Sequence, residues 1–233
     1  VIFQRKHNWL MCWLYTGTFG SFIGFSAGLP LLAKQQFPDI NVLQFVFLGP
    51  LVGALSRAAT GWVSDKWGGA RVTFWVFVLM MLGVLGVMYF IQAASWWGFL
   101  GAFIFMFFMT GVGNASTFQM IPNIMRTEVP RLMPELSSEA SLRQSEKESA
   151  AIVGFTSAIA AYGAFFIPKS FGSAIAATGS PMPALWGFLI FYASCAVLTW
   201  WAYTRRGGLL HDIERRAAPA PTPSTASLKG ATA

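Results

Sequence analysis

The chain has 233 residues, of which 55% are hydrophobic, 16% aromatic and only 11% charged, with a net charge of +7. Soluble domains carry about 25% charged residues, so this composition excludes a water-covered globule and makes the bilayer part of the solvent. The positive balance is assigned to loops that fix membrane orientation, with no nucleic-acid partner expected.

A spanning helix needs about 20 mostly apolar residues. Six runs qualify: Trp9–Ala33, Ile40–Val63, Val72–Gln92, Trp96–Met125, Ala150–Phe171 and Pro183–Thr204. The predicted fold is therefore all-α, an integral membrane bundle of six transmembrane helices over residues 9–206. A lead-in (1–8) precedes it, and a tail (207–233), rich in Pro, Ala and Thr, reads as disordered. The sequence opens on Val1, and its first run is too long and glycine-rich for a cleaved signal peptide. We expect a piece of a longer protein.

In the first run, Gly20, Gly24 and Gly28 recur every four residues, a smooth stripe on which another helix can lie closely. Tyr15 and Phe19 are one turn apart and share a face, as packing residues or as an aromatic wall. The second run holds the one deep charge, Arg57, and none of the runs contains an acid to pair with it. A charge at mid-membrane costs at least about 2.5 kcal/mol. Its guanidinium must therefore face carbonyls, a polar cavity, an anion or another chain. The planar fork of Arg matches planar oxyanions such as carboxylate or nitrate.

After the second run comes Asp65-Lys66-Trp67-Gly68-Gly69-Ala70-Arg71. Its glycines predict a tight turn, and its charges can tie neighbouring helix ends. Asp65, Gly69 and Arg71 are candidates for a gating loop. The fourth run contains Thr110 to Thr117, in which Gly111 and Gly113 permit bending and Asn114 can hydrogen-bond. A long polar loop is expected from Arg126 to Ser149, with Ser138–Ser149 as a short amphipathic helix on the membrane surface. The fifth run carries a second small, polar stretch, Gly154 to Ala164, that includes Ser157 and Gly163. For both small-residue stretches, helix packing and cavity lining are equally open.

Basic residues segregate. Arg5, Lys6, Lys66, Arg71, Arg126, Arg131, Arg143, Lys147, Arg205, Arg206, Arg215, Arg216 and Lys229 fall on one side, and only Lys34 and Lys169 on the other. The asymmetry predicts both termini in the cytoplasm of a multi-pass protein of the cell (inner) membrane. Lys169, near the end of its run, is expected to snorkel to the headgroups.

Cys12 and Cys195 lie in apolar runs without metal-ligand spacing and read as inert buried thiols, with a disulfide left open. His7 and His211 lie near the termini and are expected to be solvated. There is no Gly-rich loop ending in Lys-Ser or Lys-Thr and nothing resembling a catalytic triad or metal cluster. No enzyme activity, cofactor or metal is expected.

The stretch DKWGGAR resembles the loop after the second helix of each six-helix half in the major facilitator superfamily, with Lys66 where Arg is commoner. YTGTFGSFIGFSAGLPLLAKQQFP, FLGPLVGALSRAATGWVSDKWGGARVT, TGVGNASTFQMIP and GFTSAIAAYGAFFIPKSFG occur in order. Together they resemble the C-terminal half of the nitrate/nitrite porters of that superfamily, over nearly all of Asn8 to Arg206. The resemblance implies a twelve-helix transporter whose two halves enclose one anion site, each giving an arginine from its second helix. Arg57 stands at that place, and Tyr15 and Phe19 stand where the family has aromatics around the anion. Ser157 falls in the family's second signature segment, and Gly163 and Asn114 complete the candidate substrate-binding set. The implied partners are nitrate, nitrite, the lipid bilayer and an N-terminal six-helix half that this sequence lacks. Ala160 and Ala164 depart from a family segment that is often richer in glycine, which narrows the helix contact or pore. The lack of acids in the runs favours anion exchange by alternating access. A porter for another small anion, nitrate/proton symport, and a truncated non-transporting membrane subunit remain alternatives.

Overall fold

In lipid, every backbone N–H and C=O must be satisfied within the protein, which leaves helices as the way for a chain this apolar to cross. The computed structural model describes residues 6–205. Its helices are α1 (Lys6–Tyr15), α2 (Ser21–Gln36), α3 (Leu48–Ala59), α4 (Gly61–Trp67), α5 (Gly69–Gln92), α6 (Trp96–Leu132), α7 (Ser138–Ala161), α8 (Gly163–Thr178) and α9 (Met182–Thr199). A π-helical turn, Thr16–Gly20, joins α1 to α2, and a second, Trp200–Thr204, ends α9. Grouped end to end they make six helical spans long and apolar enough to cross a membrane: Lys6–Gln36, Val42–Ala59, Gly69–Gln92, Trp96–Leu132, Ser138–Thr178 and Met182–Thr204. The expected tail, residues 1–5 of the lead-in, Arg206 and His211 lie outside the described residues. Residues 6–8 of the expected lead-in are already helical.

Bundle packing centres on α6, which lies against α3 on one side and α5 on the other. Phe99, Phe103 and Phe107 recur every four residues along it, all fully buried. Phe103 meets Phe25 of α2 edge-on at 5.8 Å, and Phe107 meets Phe22 edge-on at 6.1 Å. Lipid tails are as apolar as leucine, so close approach and hydrogen bonds must hold such helices together. The glycine stripe supplies the approach. A Cβ on Gly24 would come within 2.6 Å of Gly163 O, one on Gly28 within 3.3 Å of the Phe171 ring, and one on Gly163 would overlap Gly20 O. The partner advances along α8 as the glycine advances along α2, so these two helices run parallel. Hydrogen bonds add to the contact between the first and last spans: Tyr192 Oη donates to Ser21 Oγ (2.8 Å) and Trp13 Nε1 to Ser194 Oγ (3.0 Å). Trp75, Leu82, Tyr89, Trp186, Ile190 and Trp201 stay exposed, as lipid-facing side chains do.

Several expectations are corrected. The second span is not one helix over 40–63: Val42–Gln44 is a single 3₁₀ turn and α3 begins at Leu48. Pro50 sits in the first turn of α3, where it costs no helical hydrogen bond. The expected loop from Asp65 to Arg71 shrinks to one residue. Asp65, Lys66 and Trp67 close α4, Gly68 turns with φ +87°, and Gly69 opens α5. The left-handed value explains a glycine there.

The predicted loop Arg126–Ser149 is also absent. Helix α6 continues to Leu132 and α7 starts at Ser138, leaving only 133–137 between them. Ser137 caps α7 by accepting from Ala140 N, and Glu139 pairs with Arg143 one turn on at 2.6 Å. Residues 138–149 are thus the first turns of the fifth span and form no separate surface helix. Their Ser141, Ser145 and Ser149 face inward, and Ser145 Oγ lies 3.3 Å from Met125 O of α6. The extension also brings carboxylates into the helices: Glu148 is 4% exposed and accepts from Gln144 Nε2 at 2.9 Å. Gly111 and Gly113 produce no break, since α6 runs helical through both.

Lys169 does not end its span, which runs on to Thr178; its ammonium lies over the Phe165 ring, 5.2 Å from the centroid. His7 is not solvated but half-buried, with Nδ1 3.1 Å from Tyr203 Oη and Nε2 3.9 Å from Glu128. Cys12 and Cys195 are buried and free, with no disulfide.

The α2–α8 contact predicts a contrast. In the full-length protein, Gly24→Leu is expected to cost at least about 1–3 kcal/mol, the usual range for an overpacked contact. Gly172→Ala, where an added Cβ meets nothing within 4 Å, is expected to leave stability unchanged or raise it by up to about 1 kcal/mol. Thermal unfolding in detergent compares the two, and equal effects would mean the stripe does not set the approach.

Candidate functional site

Arg57 owes its direction to the way α3 sits on α6. The buried residues of α3 are Gly49, Gly53 and Ser56, one per turn on one face. Gly49 receives the Phe107 ring, and a Cβ on Gly53 would come within 3.0 Å of Phe107 O. From the other side, a Cβ on Gly111 would overlap Ser56 Oγ and Gly53 O and lie 3.1 Å from Arg57 N. The Ser56 hydroxyl lies 3.0 Å from Gly53 O and 3.1 Å from Phe108 O, joining the two helices. With Ser56 committed to α6, its neighbour Arg57 turns away and is exposed. Helix α3 stops at Ala59, because Thr60 leaves helical geometry (φ −110°, ψ 6°) while its hydroxyl donates to Ser56 O at 2.6 Å. Gln119 Nε2 of α6 then donates to Gly61 O at 3.2 Å, across the break.

The guanidinium carbon of Arg57 lies 5.9 Å from the centroid of the Phe118 ring. Among the described residues no acid pairs with it. Tyr15, at the end of α1, is 2% exposed, and its hydroxyl lies close to the Ser157 side chain of α7, with Arg57 near enough for its charge to act on that hydroxyl. Phe19 stacks on Tyr15 with centroids 5.2 Å apart at 25°. The first, second, fourth and fifth spans therefore bring Tyr15, Phe19, Arg57 and Ser157 into one neighbourhood, with Phe118 beside them.

The π-helical turn Thr16–Gly20 carries Phe19. Insertions of this kind recur at functional sites. Its composition, TGTFG, helps explain it: glycine weakens the α-helix, Thr16 Oγ1 donates back to Cys12 O at 2.7 Å, and Thr18 Oγ1 lies 3.0 Å from Thr117 Oγ1 of α6.

Asn114 is 1% exposed, and its Oδ1 has no hydrogen-bond partner among the described residues. Gly111, Asn114 and Phe118 are spaced at i, i+3 and i+7, so Asn114 lies on the α6 stripe between the residue at the Arg57 backbone and the residue at its side chain. Gly163 is placed elsewhere: it is taken up in the contact with Gly20 and borders an apolar cavity of ≈750 Å³ between α1, α8 and α9. That cavity is lined by Trp13, Thr16, Phe166 and Phe188, not by Arg57, Tyr15, Phe19 or Ser157.

Of the gating candidates, Gly69 is buried, with a Cβ position 3.0 Å from Met120 and 3.2 Å from Ser116 O. It seats the start of α5 on α6. Asp65 and Arg71 are exposed, and neither makes an ion pair among the described residues. Sequence inspection missed Ser56, Phe118 and Gln119. Ser56 had a signal in its spacing from Gly49 and Gly53, whereas Phe118 and Gln119 become neighbours of Arg57 only through the helix crossing.

The neighbourhood offers N–H and O–H donors, one fixed positive charge and aromatic walls, a set suited to a small anion. Among the described residues no group of three or more His, Cys, Asp or Glu gathers as a metal site.

Residues 1–138, more than half of the chain, match the family model of the Major Facilitator Superfamily. The chain is 47% identical over 211 residues to the nitrate/nitrite transporter NarU of Salmonella typhimurium, covering 88% of this chain and 46% of that protein. It is 45% identical to NarU of Escherichia coli K12, with the same coverage of 88% and 46%. Against the probable nitrate/nitrite antiporter NarK2 of Thermus thermophilus it is 36% identical, covering 88% of this chain and 44% of that protein. The chain thus spans a little under half the length of these relatives.

The closeness of the Tyr15 and Ser157 side chains predicts coupling between the two positions, through a hydrogen bond between their hydroxyls. Tyr15→Phe and Ser157→Ala are each expected to lower unfolding stability by about 0.6–1 kcal/mol, the range for a hydrogen bond between membrane helices. The double variant is expected to lose less than the sum. Strict additivity in thermal unfolding of the full-length protein would mean the two hydroxyls do not interact.

Proposed function

The chain belongs to the major facilitator superfamily, and from that premise we propose that it forms the C-terminal six-helix half of a nitrate/nitrite exchanger. The observation that carries this reading is the exposed guanidinium of Arg57 beside the Tyr15–Ser157 pair, with no acid to neutralise it among the described residues. An unpaired charge in a membrane span is costly, and an anionic substrate removes that cost on binding. The relatives' names, which give nitrate and nitrite, support the choice of anion.

In this reading nitrate lies in the plane of the Arg57 fork and accepts two hydrogen bonds from it. Tyr15 and Ser157 supply hydroxyl donors, Phe19 backs the aromatic wall, and Asn114 offers its amide. A second six-helix half closes the site with an arginine of its own; the relatives' greater length supports such a partner. The two halves then rock about the bound anion. An empty site would hold two unneutralised arginines during that motion, so an anion is needed in each direction and exchange results. The only basic residues read as external are Lys34 and Lys169. That asymmetry supports cytoplasmic termini and insertion in the cell (inner) membrane, with Asp65, Gly69 and Arg71 at the cytoplasmic gate.

Counterflow in proteoliposomes containing the full-length protein tests the reading. Labelled nitrite is expected to enter vesicles preloaded with nitrate, and not empty ones. Arg57→Lys keeps the charge but loses the fork, and is expected to lower the exchange rate about 10–100-fold while leaving insertion intact. Near-normal exchange by that variant would make Arg57 structural. An unmodified protein that exchanges neither anion would rule out the substrate assignment.

A further inference from the structure

Arg57 is exposed, and no acid among the described residues restrains it. A free Arg side chain carries about 2 kcal/mol of rotamer entropy, which an anion would have to freeze out on binding. One side chain limits that freedom. The Phe118 ring of α6 lies 5.9 Å from the guanidinium carbon, inside the range of about 6 Å for a cation–π contact.

The contact suits a residue that must stay available. A carboxylate at the same place would occupy the fork with two hydrogen bonds and compete with any oxyanion. An aromatic ring has no lone pair to offer the fork. It attracts the cation through its quadrupole and leaves the guanidinium charge formally uncompensated.

The ring and the cation are also held level. Gln119, the next residue, donates Nε2 to Gly61 O at 3.2 Å, at the break that ends α3. Gly111 fixes the other end of the contact, against Arg57 N and Ser56 Oγ. Helix α3 is thus tied to α6 above and below Arg57, so Phe118 cannot slide past it. The ring is 40% exposed, so it is not part of the packed interior.

We propose that Phe118 is a positioning residue of the anion site, its ring holding the Arg57 guanidinium in place while leaving the fork free for a planar anion. This rests on Arg57 being an anion ligand.

The test uses the full-length protein in proteoliposomes, with KM for external nitrite, maximal exchange rate and thermal unfolding measured for Phe118→Leu and Phe118→Trp. Leucine keeps an apolar side chain but loses the ring, so a role in packing alone would leave KM unchanged. A positioning role is expected to raise KM about 2–5-fold in the leucine variant, with unfolding unchanged, and tryptophan is expected to restore it. Wild-type KM in Phe118→Leu, or equal impairment in both variants, would overturn the inference while leaving the exchange reading standing. An unmodified protein inert to both nitrate and nitrite would remove the exchange reading and this inference together.

Discussion

The contact on which the site depends is the crossing of α3 over α6, made possible by the hydrogen that stands in place of a side chain at Gly111. Its missing methyl admits Ser56 Oγ and Gly53 O, and the Ser56 hydroxyl then reaches Phe108 O across the crossing. Successive helix positions are rotated by about 100°. With Ser56 directed into α6, Arg57 must point elsewhere. Burial on one face of a helix thus decides the exposure of the charge beside it.

A second close approach sets the other wall. The Gly20–Gly24–Gly28 stripe against Gly163, Ile167 and Phe171 fixes the register of the first span on the fifth. That register, carried back toward the N-terminal end of both spans, brings Tyr15 level with Ser157. Lipid offers little hydrophobic drive for helix association, so the fit of small residues and a few hydrogen bonds must supply it. The same residues that hold the bundle together therefore aim the side chains proposed to meet the anion. Gly163 illustrates the division: its contact is with backbone, and its contribution to the site is through Gly20.

Charge is distributed with similar economy. The acids Glu128 and Glu148 lie in the long helices toward their basic ends, where His7 engages the first and Gln144 the second. None of them reaches Arg57. Separation of these acids from Arg57 preserves an uncompensated charge within the second span, which is the condition the proposed exchange requires.

Six spans, their order, the deep cation Arg57 and the Gly20–Gly24–Gly28 stripe were legible in the sequence because apolar run length and one-turn spacing are local properties. The aromatic pair Tyr15–Phe19 was legible for the same reason. The ends of the helices were not. Polar residues at 126–132 and 138–149 look like loop, yet they remain helical because Ser137 caps α7 and Ser145 meets Met125 O. The break at Thr60 depends on a hydroxyl turning back to Ser56 O and on Gln119 reaching Gly61. Composition by itself determined that the chain lives in a membrane and that Arg57 needs a use. Only the tertiary structure decided which way Arg57 points and that Phe118 stands over it. Both depend on where two helices far apart in sequence cross, and that is set by which pair of surfaces lacks side chains at the same height.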